Sequence, residues 1–152
     1  MQKTNQRIDI LGVELKWLLT LEATGNNYCL LDTHIPPGVG VPPHQHPYQE
    51  SFYVLEGDPE FALEVNGKLK WQSAVPGQLV NIPPDAMHGF RNTGTGNVRV
   101  LITGTEALGR FFEAAGTVLA DGEQACAQPS PEELQRILTI AGEHGQKFLA
   151  PA

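Results

Sequence analysis

Residues 38–57 read GVGVPPHQHPYQESFYVLEG, and the fold turns on how this stretch is read. His44, His46 and Glu50 stand between Gly38 and Gly57. Imidazole and carboxylate are donors that divalent transition metals accept. In an extended chain the side chains alternate between two faces, and these three residues share parity. One β-strand can therefore aim all three into one interior. A second stretch at residues 77–92, GQLVNIPPDAMHGFRN, adds His88. The expectation is a metal centre of His44, His46, Glu50 and His88 inside a small barrel, with one divalent transition metal per chain. Fe, Mn, Ni, Cu, Co and Zn all accept such a set.

Outward from that stretch the chain reads as short strands and turns. Apolar runs at residues 8–11 and 13–20 flank Gly12. Another at residues 28–35 ends in Pro36-Pro37-Gly38. Pro42-Pro43 and Pro47 predict an edge or loop ahead of a strand at 51–55. Asn66-Gly67, between alternating segments, predicts a hairpin with a type I′ turn. Residues 79–82, the segment carrying His88 and the alternation of Val98, Val100 and Ile102 supply further strands. Turns every eight to twelve residues suggest a sandwich or barrel. Beyond residue 105 the period changes. Leu108, Phe111, Phe112 and Ala115 have helical spacing. Residues 116–129 read as a loop-like bridge. Ser130-Pro131-Glu132-Glu133 is a capping box, followed by a stripe of Leu134, Ile137, Leu138 and Ala141.

The two histidine stretches resemble the two signatures of the cupin superfamily. Gly38, His44, His46, Glu50 and Gly57 occupy the fixed positions of the first. Gly77, Pro83, His88 and Asn92 occupy those of the second, with Asp85 where the family usually has Gly. Asp tolerates the left-handed conformation such a turn requires better than most residues do. The likeness covers about residues 10–115 and is to single-domain bacterial cupins, quercetin 2,3-dioxygenase-like ones in particular. It implies an all-β, double-stranded β-helix (jelly-roll) barrel at residues 1–104. Residues 105–152 would be a short C-terminal helical extension packed on it within the same domain. It also implies an oxidoreductase of dioxygenase type acting on a small aromatic or enediol-like compound. Glu50 would be the catalytic residue, as a ligand or as a base for a substrate hydroxyl. The same site could serve an isomerase or lyase on a small hydroxy-carbonyl compound, or a barrel that binds a small molecule without turnover. The fold alone does not choose among them.

Composition narrows the partners. Ten Lys and Arg stand against 17 Asp and Glu in 152 residues, a net charge of −7. With no basic cluster, nucleic acid and anionic membrane surfaces are disfavoured. No apolar run approaches spanning length, and the first residues lack a secretory core. Two cysteines, Cys29 and Cys126, make no disulfide scaffold, so a reducing, cytoplasmic setting is expected. The early strands read as apolar on both faces. If they lie at a sheet edge they need a cover, and together with the resemblance this predicts a homodimer.

Other candidates have plainer readings. His34 reads as a core or surface histidine, and His144 as a residue near a helix end. Tyr48 packs on Pro47 or supports the ligands through a hydrogen bond. Phe52, Val54, Met87, Phe90 and Ile102 are core or cavity wall. Arg91 has parity opposite to His88 and should face solvent, which argues against a phosphorylated substrate.

Overall fold

The structure is a computed structural model, and it describes residues 3–149. Ten strands come first: β1 (Arg7–Ile10), β2 (Val13–Leu19), β3 (Tyr28–Ile35), β4 (Gly40–Gln45), β5 (Glu50–Glu56), β6 (Glu60–Val65), β7 (Lys68–Ser73), β8 (Leu79–Ile82), β9 (His88–Arg91) and β10 (Val98–Thr105). Helix α1 (Glu106–Ala115), strand β11 (Thr117–Leu119), helix α2 (Pro131–Glu143) and strand β12 (Lys147–Phe148) follow. One sheet has the order β11-β1-β2-β3-β10-β5-β8, the other β12-β4-β9-β6-β7. Every pairing is antiparallel, and the two sheets form a jelly-roll barrel. Trp17, Leu31, Phe52, Phe61, Ile82 and Ile102 are buried inside it. Phe52 stands 5.1 Å from Phe61 and 5.4 Å from Phe90 between ring centroids, which gives the core a tilted aromatic cluster.

Turn chemistry follows the sequence. Asn66 and Gly67 have φ of 52° and 77°, both left-handed, as a type I′ turn requires between β6 and β7. Asp85 has φ 66°, and its N–H donates to the His46 carbonyl at 2.8 Å, so this turn is tied to the histidine stretch. Gly57 has φ 82°, and a Cβ there would collide with the Asn97 carbonyl oxygen. Asn92 is buried, and its side-chain amide donates to the carbonyls of Ile35 (2.8 Å) and Gly96 (2.9 Å).

Four expectations are corrected. The early strands are not apolar on both faces. In β2, Val13, Leu15 and Trp17 are buried and alternate with half-exposed Glu14, Lys16 and Leu18. The edge at β1 is covered by the chain itself, with Arg7, Ile8 and Asp9 opposite Leu119, Val118 and Thr117 of β11. That strand lies inside the stretch read as a bridge. Three residues are too few to show a period, and only the unpaired edge of β1 makes a strand of them. Pro42 and Pro43 do not prevent a strand either. β4 runs through them because they sit in an irregularity of the β4–β9 register, between Val41 and His44, where no ladder N–H is needed. In α2 only Ile137 and Ala141 of the apolar stripe are buried, while Leu134 and Leu138 stay 43% and 37% exposed. Of the capping box, the Ser130 half forms, its Oγ accepting from the Glu133 N–H at 3.1 Å, while the Glu133 carboxylate accepts from Arg136.

Candidate metal centre

His44 and His88 face each other across the β4–β9 pair, their ring centroids 4.3 Å apart. His46 follows the end of β4, and Glu50 opens β5 in the other sheet. The three first-stretch residues therefore do not share one strand. The chain crosses between the sheets at Pro47-Tyr48-Gln49, and the site forms where the two sheets face each other. One ring nitrogen from each histidine lies within 4.8 Å of the others, and all three residues are buried. Glu50 Oε1 is 3.4 Å from His88 Nε2 and 3.8 Å from His46 Nε2.

The tautomers are set by the backbone. His44 Nδ1 is 2.9 Å from the Pro42 carbonyl, His46 Nδ1 2.7 Å from that of Tyr48, and His88 Nδ1 2.8 Å from that of Ala86. A carbonyl oxygen only accepts, so each Nδ1 carries the proton and each Nε2 presents a lone pair to the centre. The Nε2 atoms of His46 and His88 are buried without a partner. Burial, reinforced by the neighbouring His88, holds the His44 imidazole down to about 4, so it is neutral near pH 7. Burial alone would raise the Glu50 carboxyl; hydrogen bonds and charge from His46 and His88 bring it down to about 2, an effect that needs a positive centre between the Nε2 atoms and the carboxylate. With the Nδ1 protons held by the backbone, buried Nε2 lone pairs beside a carboxylate call for a cation there, a proton or a metal ion. The donors are imidazole and carboxylate, so the residues fit a divalent transition metal.

Around the nitrogens lies a cavity of about 60 Å³. Its walls come from β1, β2, β4, β9, β10 and both helices. They include Val41, Phe90, Ile102, Leu108, Phe112 and Ile137, with Gln146 and Phe148 from β12 and the turn before it. Phe90 and Ile102 were expected there. Phe52, Val54 and Met87 are not among the lining residues, and Phe52 and Val54 are buried core.

Gln146 and Phe148 went unnoticed in the sequence. Phe148 pairs with His44 through the β12–β4 ladder and stacks on its ring at 5.1 Å. Gln146 Nε2 donates to Tyr48 Oη at 3.1 Å, and the Tyr48 ring stacks on His46 at 4.1 Å and 10°. Tyr48 thus supports His46 both by stacking and through its backbone carbonyl. The alternation of Gln146 and Phe148 around Lys147 was the available signal, but two residues of alternation are too few to stand out. Arg91 faces outward as expected, bonded to Glu60 at 3.0 Å and packed over Trp71. His34 pairs with Arg99 across β3 and β10, and His144 lies near Phe111 at the end of α2; neither joins the cluster.

Comparison with known proteins places this geometry. Residues 31–104 match the family described as Cupin domain. No curated protein sequence matches the chain. Among solved structures, a predicted oxalate decarboxylase from Thermotoga maritima is 28% identical, with a TM-score of 0.57 over 67% of this chain and 91% of that one. The polyketide cyclase RemF from Streptomyces resistomycificus is 16% identical, with a TM-score of 0.57 over 92% and 89%. The DMSP lyase DddQ from Ruegeria pomeroyi DSS-3 is 25% identical, with a TM-score of 0.45 over 53% of this chain; the chain spans only 39% of that protein. The match at residues 31–104, the two signatures within it and the jelly-roll that carries them identify a cupin domain in this chain.

Proposed function

We propose that the chain is a mononuclear metal-dependent enzyme of dioxygenase type acting on a small aromatic or enediol-like compound. The observation that carries this is the pair of buried, unpartnered Nε2 atoms of His46 and His88 facing an ionised Glu50. His44, His46 and His88 would hold the ion, with Glu50 as fourth ligand. When bound, a divalent transition metal supplies Lewis-acid polarisation of a substrate oxygen and, if redox-active, an electron for O₂. The remaining work falls to the chain's own groups. The Pro42, Tyr48 and Ala86 carbonyls keep every Nε2 aimed inward. Phe90, Phe112 and Phe148 make the wall of the cavity apolar. Alternatively Glu50, off the ion, accepts the proton of a substrate hydroxyl at a carboxylate oxygen. An apolar cavity also admits O₂, which is itself apolar.

The likeness to a predicted oxalate decarboxylase favours a second reading, an O₂-independent lyase or isomerase on a small hydroxy-carbonyl compound using the same ligands. The test is elemental analysis of protein purified without added metal, followed by O₂-uptake screening over small enediols and phenols. Bound transition metal with substrate-dependent O₂ consumption is expected. Product formation without O₂ would favour the second reading, ligand binding without product a binding protein, and absence of metal would overturn both enzyme readings. A homodimer in a reducing, cytoplasmic setting belongs to the same proposal. The two free cysteines, one of them buried, support the reducing setting, and the dimer rests on the likeness to cupins alone. Among the described residues no helix is long and apolar enough to cross a membrane.

A further inference from the structure

The cavity over the histidines has walls that are unusually uniform for a site built to hold an ion. Apart from His44, His46 and Glu50, the one polar side chain lining it is the neutral amide of Gln146, already engaged with Tyr48. Among the described residues no lysine or arginine lines it. Nor is one in reserve among the arginines. Arg7 bonds Glu14, Arg91 Glu60, Arg99 Asp32, Arg110 Glu106 and Arg136 Glu133. Lys147 stands between two lining residues, but it is exposed while its neighbours reach inward, as strand alternation requires.

We infer that the site takes ligands with at most one ionised group, the one directed at the histidines, and a hydrocarbon remainder of a few carbons; a second anionic group is rejected. The inference rests on the metal reading above. A divalent ion with Glu50 leaves one positive charge at the head of the site, enough for one enolate or carboxylate. Any further carboxylate or phosphate would lie against Val41, Ile102, Leu108 and Phe112 with no cation to pair it, and a charge held against apolar walls without a partner is strongly disfavoured. Size points the same way. A water-sized group needs about 10–15 Å³ of such volume, so the cavity holds roughly four to six of them. Small dicarboxylates and sugar phosphates are therefore poor ligands even where their size would suit, and so is any ligand with several fused rings while β12 lies in place.

The test compares two acids with one chelating head. 2-Hydroxypentanoate and malate share the 2-hydroxycarboxylate group and differ at the far end, ethyl against carboxylate. Protein reconstituted with Mn²⁺ is titrated with each by calorimetry, after its metal content has been measured on the same sample. Binding of 2-hydroxypentanoate at least tenfold tighter than malate is expected. Malate binding as tightly or tighter, or binding of neither, overturns the inference. Val41→Lys places a cation on the half-buried cavity wall, where a long stem can carry it. It should shift the ratio toward malate by at least tenfold. Leu11→Arg, at another half-buried position of the wall, is the second placement should Val41→Lys not fold. An unchanged ratio in a folded variant also overturns the inference. Protein that takes up no Mn²⁺ overturns the metal reading separately. The same titration on that metal-free protein then ranks the two acids, and the inference stands or falls on the ranking.

Discussion

At His46 three constraints meet on one ring: a carbonyl on Nδ1, a tyrosine on its face, and burial without a partner on Nε2. His46→Ala should therefore lower metal occupancy at least tenfold by elemental analysis, about the range in which disturbing the support of a ligand acts. The far-UV CD spectrum should stay that of a barrel, because the apolar core does not run through His46. Full occupancy in the variant would sink the assignment. Glu50→Gln separates binding from turnover. Three histidines suffice to retain a divalent ion, so the variant should keep most of its metal and lose most of any activity. Wild-type turnover would show that Glu50 is neither base nor essential ligand. The cysteines give a check on burial. Cys29 is buried, and desolvation pushes its thiol up to about 12. Cys126 is exposed. A thiol reagent at pH 8 should therefore modify one group per native chain and two after unfolding.

Among the elements, the helix start at Ser130 was legible because a cap is written in four residues. Ser130→Ala should cost about 1 kcal/mol of stability in denaturant melts, the usual value of such a cap. The Asn66-Gly67 hairpin was legible for the same reason. The site ligands were legible as residue types at fixed spacing, but the reason given for their convergence was incomplete. Shared parity on one strand would have sufficed. Instead the chain changes sheets between His46 and Glu50, and a crossover of three residues leaves no periodic trace. The same limit hid β11 and β12. Segments of three and two residues become strands only because a neighbouring edge offers hydrogen bonds, so their information lies in the partner. The walls contributed by Gln146 and Phe148 were lost with them.

For the whole molecule, the outer face of the larger sheet carries one strongly paired acid. Arg99 holds the Asp32 carboxyl below its ordinary value through two hydrogen bonds of 2.8 and 2.7 Å, against the opposing effect of burial. A depressed folded value means that the contribution is complete above the unfolded pKa, near 4, and is lost as pH falls through the folded one. Wild type should thus be more stable than Asp32→Asn at pH 6, and the two curves should converge in acid; a gap that widens there would contradict the assignment. Light scattering tests the dimer at micromolar concentration. Because β11 already covers β1, a monomeric mass would not disturb the fold described above. The strap of Gln146 and Phe148 has one more consequence, which concerns order in time. It lies about 60 residues beyond His88, so during synthesis at roughly 5–20 residues per second the four ligands leave the ribosome about 3–12 s before the segment that covers them. A nascent chain can collect an ion from a cleft that Gln146 and Phe148 do not yet line, whereas in the finished protein these two residues narrow the approach. Metal uptake should then be faster when unfolded chains are renatured with the ion present than when it is added to folded, metal-free protein, and stopped-flow mixing can compare the two.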